Sequence, residues 1–258
     1  MQTSCLFIGD RAHGEFVAAA NDLEAHATSR FADSVEAAVR LLATEDEEPA
    51  LAIVARIRPG DISARQIERL RRAAPLARIV ELLGTWCDGE LRSGQPLTAT
   101  IRVPCHLWPV WFRREVRDTS HPGWPGPVTA SAEERLLDHA AATPHRTGLI
   151  VIRGCDTDGA AWLAQVCRHA GYATAGLEST PSGRIAGVTA GIWQAGIRYE
   201  QHWSDLRTLI AAVAPAPVVC SLGFPRPEEI DRAIALGARQ VLAQPLLVED
   251  LLASLQAE

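Results

Sequence analysis

The chain is 258 residues long, with 47% hydrophobic and 22% charged residues, a balance that buries a core in one large or two ordinary domains and excludes a disordered chain. Its net charge of −6 opposes a broad nucleic-acid surface, which needs clustered cations against phosphate. All 25 basic residues are arginine, and without lysine there is no Schiff base, no lysine-bearing phosphate loop and no lysine-assisted phosphate relay.

No apolar run approaches the roughly 18 residues that span a bilayer. The start, MQTSCLFIGD, has neither the basic nor the apolar part of a cleaved leader, so a cytoplasmic protein without membrane contact is expected. Cys5, Cys87, Cys105, Cys155, Cys167 and Cys220 are scattered with no CxxC pair and read as reduced, mostly buried small hydrophobes.

Taken in chain order, residues 4–8 (SCLFI) are a strand, followed by Gly9-Asp10 and a helix whose Phe16, Val17, Ala20 and Leu23 recur at helical spacing. Residues 27–31 form a second strand, and Ser34 caps a helix carrying Val35, Ala38, Val39 and Leu42. The run 50–55 (ALAIVA) is continuously apolar, as a strand covered by helices on both faces must be. It ends in the turn Arg58-Pro59-Gly60-Asp61; a helix over 63–74 and strands over 77–83 and 100–107 follow. This alternation predicts a parallel, doubly wound sheet.

The stretch 119–127 (TSHPGWPGP) opposes helix and sheet alike and marks a boundary; a short helix over 131–142 opens with a capping signature, Ser131 to Glu134. The rhythm then restarts. Strands are expected over 148–153, 172–177, 188–194, 218–222 and 240–243, with helices over 158–170, 203–213, 227–236 and 247–256. The second half repeats the organisation of the first, giving two domains, 1–118 and 147–258, joined by a Pro/Gly-rich connection over 119–146.

The run 217–252, PVVCSLGFPRPEEIDRAIALGARQVLAQPLLVEDLL, resembles the C-terminal third of a response-regulator receiver domain. In that family the fourth strand ends in Thr or Ser, a helix exits through a Leu-Gly-Ala turn, and the fifth strand ends in Lys-Pro. Ala235-Leu236-Gly237-Ala238 and Leu242-Ala243-Gln244-Pro245 carry the likeness, which reaches back to Arg168-His169-Ala170-Gly171-Tyr172 and covers about 110 residues. In the first half Ile57 to Asp61 is similar to the turn after the family's third strand. The resemblance implies α/β architecture, two flavodoxin-like, receiver-like doubly wound parallel-sheet domains in tandem.

Receiver chemistry needs a carboxylate nucleophile, acidic residues holding Mg²⁺, a hydroxyl and a lysine, because a lone aspartate repels the phosphoryl group it would accept. Matched to the family, the first half places Ala55 at the nucleophile, Leu83 at the hydroxyl and Trp108 at the lysine, keeping only Asp10, beside Gly9, of the acidic pair. In the second half the acidic pair falls at Gly154-Cys155, with Asp156 and Asp158 just beyond. The nucleophile falls at Gln194, the hydroxyl at Leu222 with Ser221 adjacent, and the lysine at Gln244. Neither half is expected to accept phosphate, and no catalytic residue, cofactor or metal is assigned.

Asp156 and Asp158, like Asp10, could hold a cation or simply mark a helix N-terminus. Cys87, Cys105 and His106 lack the paired spacing of a zinc site. His202, Ser204 and Asp205 crowd one helix start, where Ser204 reads as a cap rather than a triad nucleophile. Gly183, Gly187 and Gly191 lie outside a strand-turn-helix nucleotide context. Arg65, Arg69, Arg71 and Arg72 read as a solvated helix face. Trp108, Trp111 and Trp124, with Trp86, form either core or a docking surface.

The resulting expectation is a pseudo-receiver that signals by protein-protein recognition, with another signalling protein or a second copy of itself as partner and no nucleic acid. The alternative is an enzyme or small-molecule sensor using the crevice at the strands' C-terminal ends.

Overall fold

The computed structural model describes residues 3–44, 47–87, 89–117, 134, 146–178, 183–195 and 202–256, the side chains of residues 92 and 93 excepted. The chain divides into two compact units, Met1–Arg135 and Leu136–Glu258. The proline-rich stretch 119–127, with its Trp124, lies outside the described residues, as does the helix expected over 131–142 apart from the helical Glu134.

The first unit runs β1 (Ser4–Ile8), α1 (Val17–His26), β2 (Thr28–Ala32), α2 (Val35–Leu42), β3 (Leu51–Arg56), α3 (Ala64–Ala73), β4 (Arg78–Leu83), α4 (Glu90–Ser93), β5 (Ile101–Pro104) and α5 (Trp108–Phe112). The second runs β6 (Leu149–Gly154), α6 (Thr157–His169), β7 (Ala173–Gly176), β8 (Val188–Ala195), α7 (Trp203–Val213), β9 (Val218–Gly223), α8 (Pro227–Ala235), β10 (Gln240–Gln244) and α9 (Val248–Ser254). The sheets are ordered β2-β1-β3-β4-β5 and β7-β6-β8-β9-β10, and every pairing is parallel. Counted within each unit, both orders read 2-1-3-4-5, the flavodoxin-like order, in which ligand crevices open at the C-terminal strand ends. The chain therefore holds two flavodoxin-like α/β domains in tandem.

Alternation along the strands decides what each helix covers. On one face of the first sheet Cys5, Phe7, Ile53, Ala55 and Leu82 pack with Phe16, which precedes α1, with Leu23 of α1 and with Trp108, Trp111 and Phe112 of α5. On the other, Leu6, Ile8, Ala52, Val54 and Ile79 pack with Val35 and Ala38 of α2 and Ile67 and Leu70 of α3. All six residues of β3 are buried, as its unbroken apolar run requires. Local chemistry starts the helices: Ser34 accepts from the Ala37 N–H, and Ser63 and Gln66 close a capping box.

Three local expectations change. The strand predicted over 100–107 stops at Pro104, which has no N–H to continue the ladder, and α5 opens at Trp108 with proline in its first turn. The short α4 was not predicted; Gly89, at φ +83, introduces it. Ser204 does not cap α7, because Trp203 is already helical, its ring 5.4 Å from that of Trp193 in the core, and His202 takes the cap position.

Candidate functional site

In the second unit four residues meet at the C-terminal strand ends. Register sets Gly154 of β6 opposite Gln194 of β8, and Gln194 opposite Ser221 of β9. Gln194 is 4% exposed and donates from Nε2 to Asp156 Oδ2 at 2.7 Å. Asp156 is the N-cap of α6, and its Oδ1 accepts from the Gly159 N–H at 2.5 Å. That backbone N–H and then the Gln194 amide outweigh desolvation and hold the Asp156 carboxyl below its ordinary range, so it is ionised at neutral pH. Gln244, at the end of β10, donates from Nε2 to the buried Ser221 Oγ at 2.9 Å.

Glycines make room for this arrangement. A Cβ on Gly154 would stand 2.6 Å from Ala160 Cβ and 3.1 Å from Gln194 Oε1, and one on Gly159 would stand 2.7 Å from Gln194 Nε2. Around these groups lies a cleft of about 530 Å³ that also touches Trp162, Leu163, Phe224, Pro245 and Leu246. The register corrects one position by a residue. Ser221, not Leu222, shares the crevice with Gln194 and Gln244, and Leu222 turns into the opposite core. Cys155 is exposed, and its N–H donates to the Gln194 carbonyl.

In the first unit the matched positions are apolar, although the Glu15 carboxylate lies against Gly84 at the end of β4 and accepts from the Thr85 N–H at 3.0 Å. Gly9, at φ +132, brings its backbone against Ala55, whose Cβ would lie 3.0 Å from a Cβ on the glycine. Ala55 pairs with Leu82, so Leu82 rather than Leu83 stands beside it. Asp10 is exposed and spends Oδ1 on the Ala12 N–H. Trp108 is not at a strand end: it is 1% exposed in the core, and its Nε1 donates to Asp22 Oδ2 on α1 at 3.0 Å. Trp111 is core as well, so of the three proposed interface tryptophans two are interior packing and the third, Trp124, is not described.

The sequence reading missed an ionic cluster on the other face of this sheet. Arg56 of β3 pairs with Glu81 of β4 and, at 2.7 Å, with Glu90 of α4; Arg102 of β5 reaches Glu90 at 2.8 Å and Glu81 at 3.6 Å. The Arg56, Glu81 and Glu90 side chains are at most 1% exposed. Burial opposes charge on Glu90, yet hydrogen bonds from Arg56 and Arg102 outweigh it and keep its carboxyl below the usual range. Two cations against two anions leave the cluster neutral, as burial demands. A signal existed: Arg56, Glu81 and Arg102 each interrupt or end an apolar strand run, where a charge has to be paired.

The remaining candidates resolve as structure. Asp158 lies in the first turn of α6, and no group of three His, Cys, Asp or Glu able to hold a metal occurs among the described residues, Cys87, Cys105 and His106 included. His202 and Asp205 are 3.4 Å apart, but Asp205 also takes Arg153 at 2.7 Å, and no triad forms. Gly191 packs within β8 against Val218. On α3, Arg69 pairs with Glu36, and Arg71 and Arg72 pair with Glu68. Burial pushes the thiols of Cys5 up to about 12 and of Cys87 and Cys167 up to about 11, leaving them unreactive. No helix among the described residues is long and apolar enough to cross a membrane.

No protein-family profile and no curated protein matches the chain. Solved structures do. A response regulator from Burkholderia pseudomallei with a phosphorylated aspartic acid is 19% identical, with TM-score 0.35, over 42% of this chain and 66% of that one. A protein described as pilus assembly-related, from Burkholderia pseudomallei K96243, is 16% identical, with TM-score 0.33, over 43% and 92%. A two-component response regulator/GGDEF domain protein is 12% identical, with TM-score 0.32, over 97% and 95%. Response-regulator structures are thus among the proteins to which the chain is similar.

Proposed function

We propose that the chain is a signalling protein whose two receiver-like halves act by recognising another protein, or a second copy of the chain, and not by accepting a phosphoryl group. The carrying observation is the hydrogen-bonded set Asp156–Gln194 and Ser221–Gln244. Neutral amides stand where phosphoryl transfer needs a nucleophilic carboxylate and a cation, and they are engaged with each other's neighbours. An incoming phosphoryl group would meet the ionised Asp156 with no lysine to offset it. In the first unit the paired positions Ala55 and Leu82 carry no polar side-chain atom. The buried cluster from Arg56 to Arg102 ties β3, β4, α4 and β5 together, which favours one fixed arrangement of that face over a switch. Beside it Trp86 and Leu91, 69% and 72% exposed, supply apolar surface for a protein contact.

Beryllofluoride with Mg²⁺ mimics an acyl phosphate on a receiver aspartate, and hydrogen exchange reads the response of each unit. The expected result is an unchanged exchange pattern throughout. Protection appearing around 191–196 and 221–226, or around 53–60 and 82–88, would overturn the proposal.

A further inference from the structure

We propose that the cleft at the strand ends of the second unit binds a small organic cation, an ammonium head on an aromatic or aliphatic body. At about 530 Å³ the cleft lies within the size range of small-molecule sites. Its chemistry is sorted by depth. Gln194 and Ser221, 4% and 0% exposed, form the polar inner end beside Asp156, whereas Trp162 and Phe224, 44% and 67% exposed, form the outer wall.

Charge selects the sign of the ligand. Asp156 is the one charged residue among the described residues lining the cleft, and its carboxyl is ionised. Asp158 adds a second negative charge in the same helical turn, and the nearby Arg153 is directed to Asp205. Among the described lining residues an anion therefore meets a carboxylate and no arginine, while a cation meets an acceptor with capacity to spare. Asp156 Oδ2 receives Gln194 Nε2 and, at 3.9 Å, Cys155 Sγ, whereas Oδ1 receives the Gly159 N–H alone; a carboxylate oxygen accepts two, so Oδ1 keeps one position for a ligand. Gln244 commits its Nε2 to Ser221, which leaves its Oε1 as a further acceptor.

Ligand count selects the kind of cation. A hard divalent ion takes six or more oxygen ligands, whereas the described lining offers one carboxylate, and no group of three His, Cys, Asp or Glu able to hold a metal occurs among the described residues. An ammonium needs a single carboxylate and gains from aromatic faces nearby. Phe224 is held in the left-handed region at φ +49, a conformation that is a genuine outlier for a bulky residue, with its ring at the cleft mouth. The apolar outer wall thus suits the body of an amine whose head reaches Asp156. The inference uses the same strand-end residues as the proposed function but does not rest on that reading, since it needs only the Asp156 carboxylate and the walls of the cleft.

Calorimetric titration of the full chain with tryptamine and phenethylamine tests it, with N-acetyltryptamine as the neutral and indole-3-acetate as the anionic comparison. Saturable one-to-one binding of at least one amine is expected, with both comparison compounds at least about tenfold weaker, because a charge-assisted hydrogen bond is roughly twice as strong as a neutral one in a low-dielectric site. Asp156→Asn keeps an acceptor for the Gly159 N–H, so α6 stays capped, and removes the preference for amines. Trp162→Ala, on the exposed face of α6, weakens amine binding without touching the carboxylate. Absence of saturable heat with both amines, indole-3-acetate binding as tightly as tryptamine, or unchanged amine affinity in both variants would each overturn the inference.

Discussion

Arg56→Met removes one of the two cations in the buried cluster and leaves Glu81 and Glu90 sharing Arg102 alone. The side chain of Arg56 is 1% exposed and those of its two carboxylate partners are no more so, so water cannot replace it. The cluster moves from neutral to one net negative charge. Breaking a buried pair on one side costs about 3–5 kcal/mol. Protonating the orphaned carboxylate sets a ceiling: from an ordinary glutamate value near 4.3 to pH 7, at roughly 1.4 kcal/mol per pH unit, this is about 4 kcal/mol. The expected loss at pH 7 is therefore about 3–4 kcal/mol, a large part of the ~5–15 kcal/mol that holds a domain.

Urea unfolding read by hydrogen exchange of peptides from β3 to β5 isolates the first unit from the second, which a single global signal would not do. Adding Glu81→Gln to Arg56→Met restores neutrality while the amide still meets Thr100, and should recover about half of the loss. A cost below about 1 kcal/mol for Arg56→Met, or a double variant less stable than the single one, would refute the reasoning.

Trp108→Ala should cost the first unit about 3–5 kcal/mol by denaturant titration, since the ring is buried against Trp111 and Phe112. Trp108→Phe keeps the packing and loses the hydrogen bond to Asp22, for about 1 kcal/mol. Gly154→Ala drives a methyl into Ala160 and should destabilise the second unit by about 1–3 kcal/mol, with lost protection at the start of α6. The Asp156 carboxyl is lowered in the folded chain, so its contribution is complete above the ordinary carboxylate range and is lost as pH falls through its folded value. The melting-temperature gap between the native chain and Asp156→Asn should accordingly be widest at neutral pH and close in acid; a gap that widens in acid would contradict the assignment.

The β-α rhythm was legible because a parallel sheet covered on both faces writes itself as apolar runs, as in ALAIVA at β3, separated by amphipathic helices. Likewise the Gln244-Pro245 step marked the end of β10. What escaped depends on register. A shift of one residue exchanges the two faces of a strand, which is why Leu222 stood in for Ser221 and Leu83 for Leu82. Trp108 was placed at a strand end because nothing in the local run IRVPCHLW sets the end of β5 except Pro104. The ionic cluster joins residues 46 positions apart in sequence, Arg56 to Arg102, and only the sheet order brings them together. Asp156 and Gln194 were singled out one by one, but their hydrogen bond follows from the β6-β8 pairing alone.

The most direct test of the central claim is intact mass after incubation with acetyl phosphate and Mg²⁺. A chain whose strand ends carry Ala55 in one half and Gln194 in the other should keep its mass unchanged. A stoichiometric, hydroxylamine-sensitive gain of about 80 Da, the mass of one phosphoryl group, would contradict it.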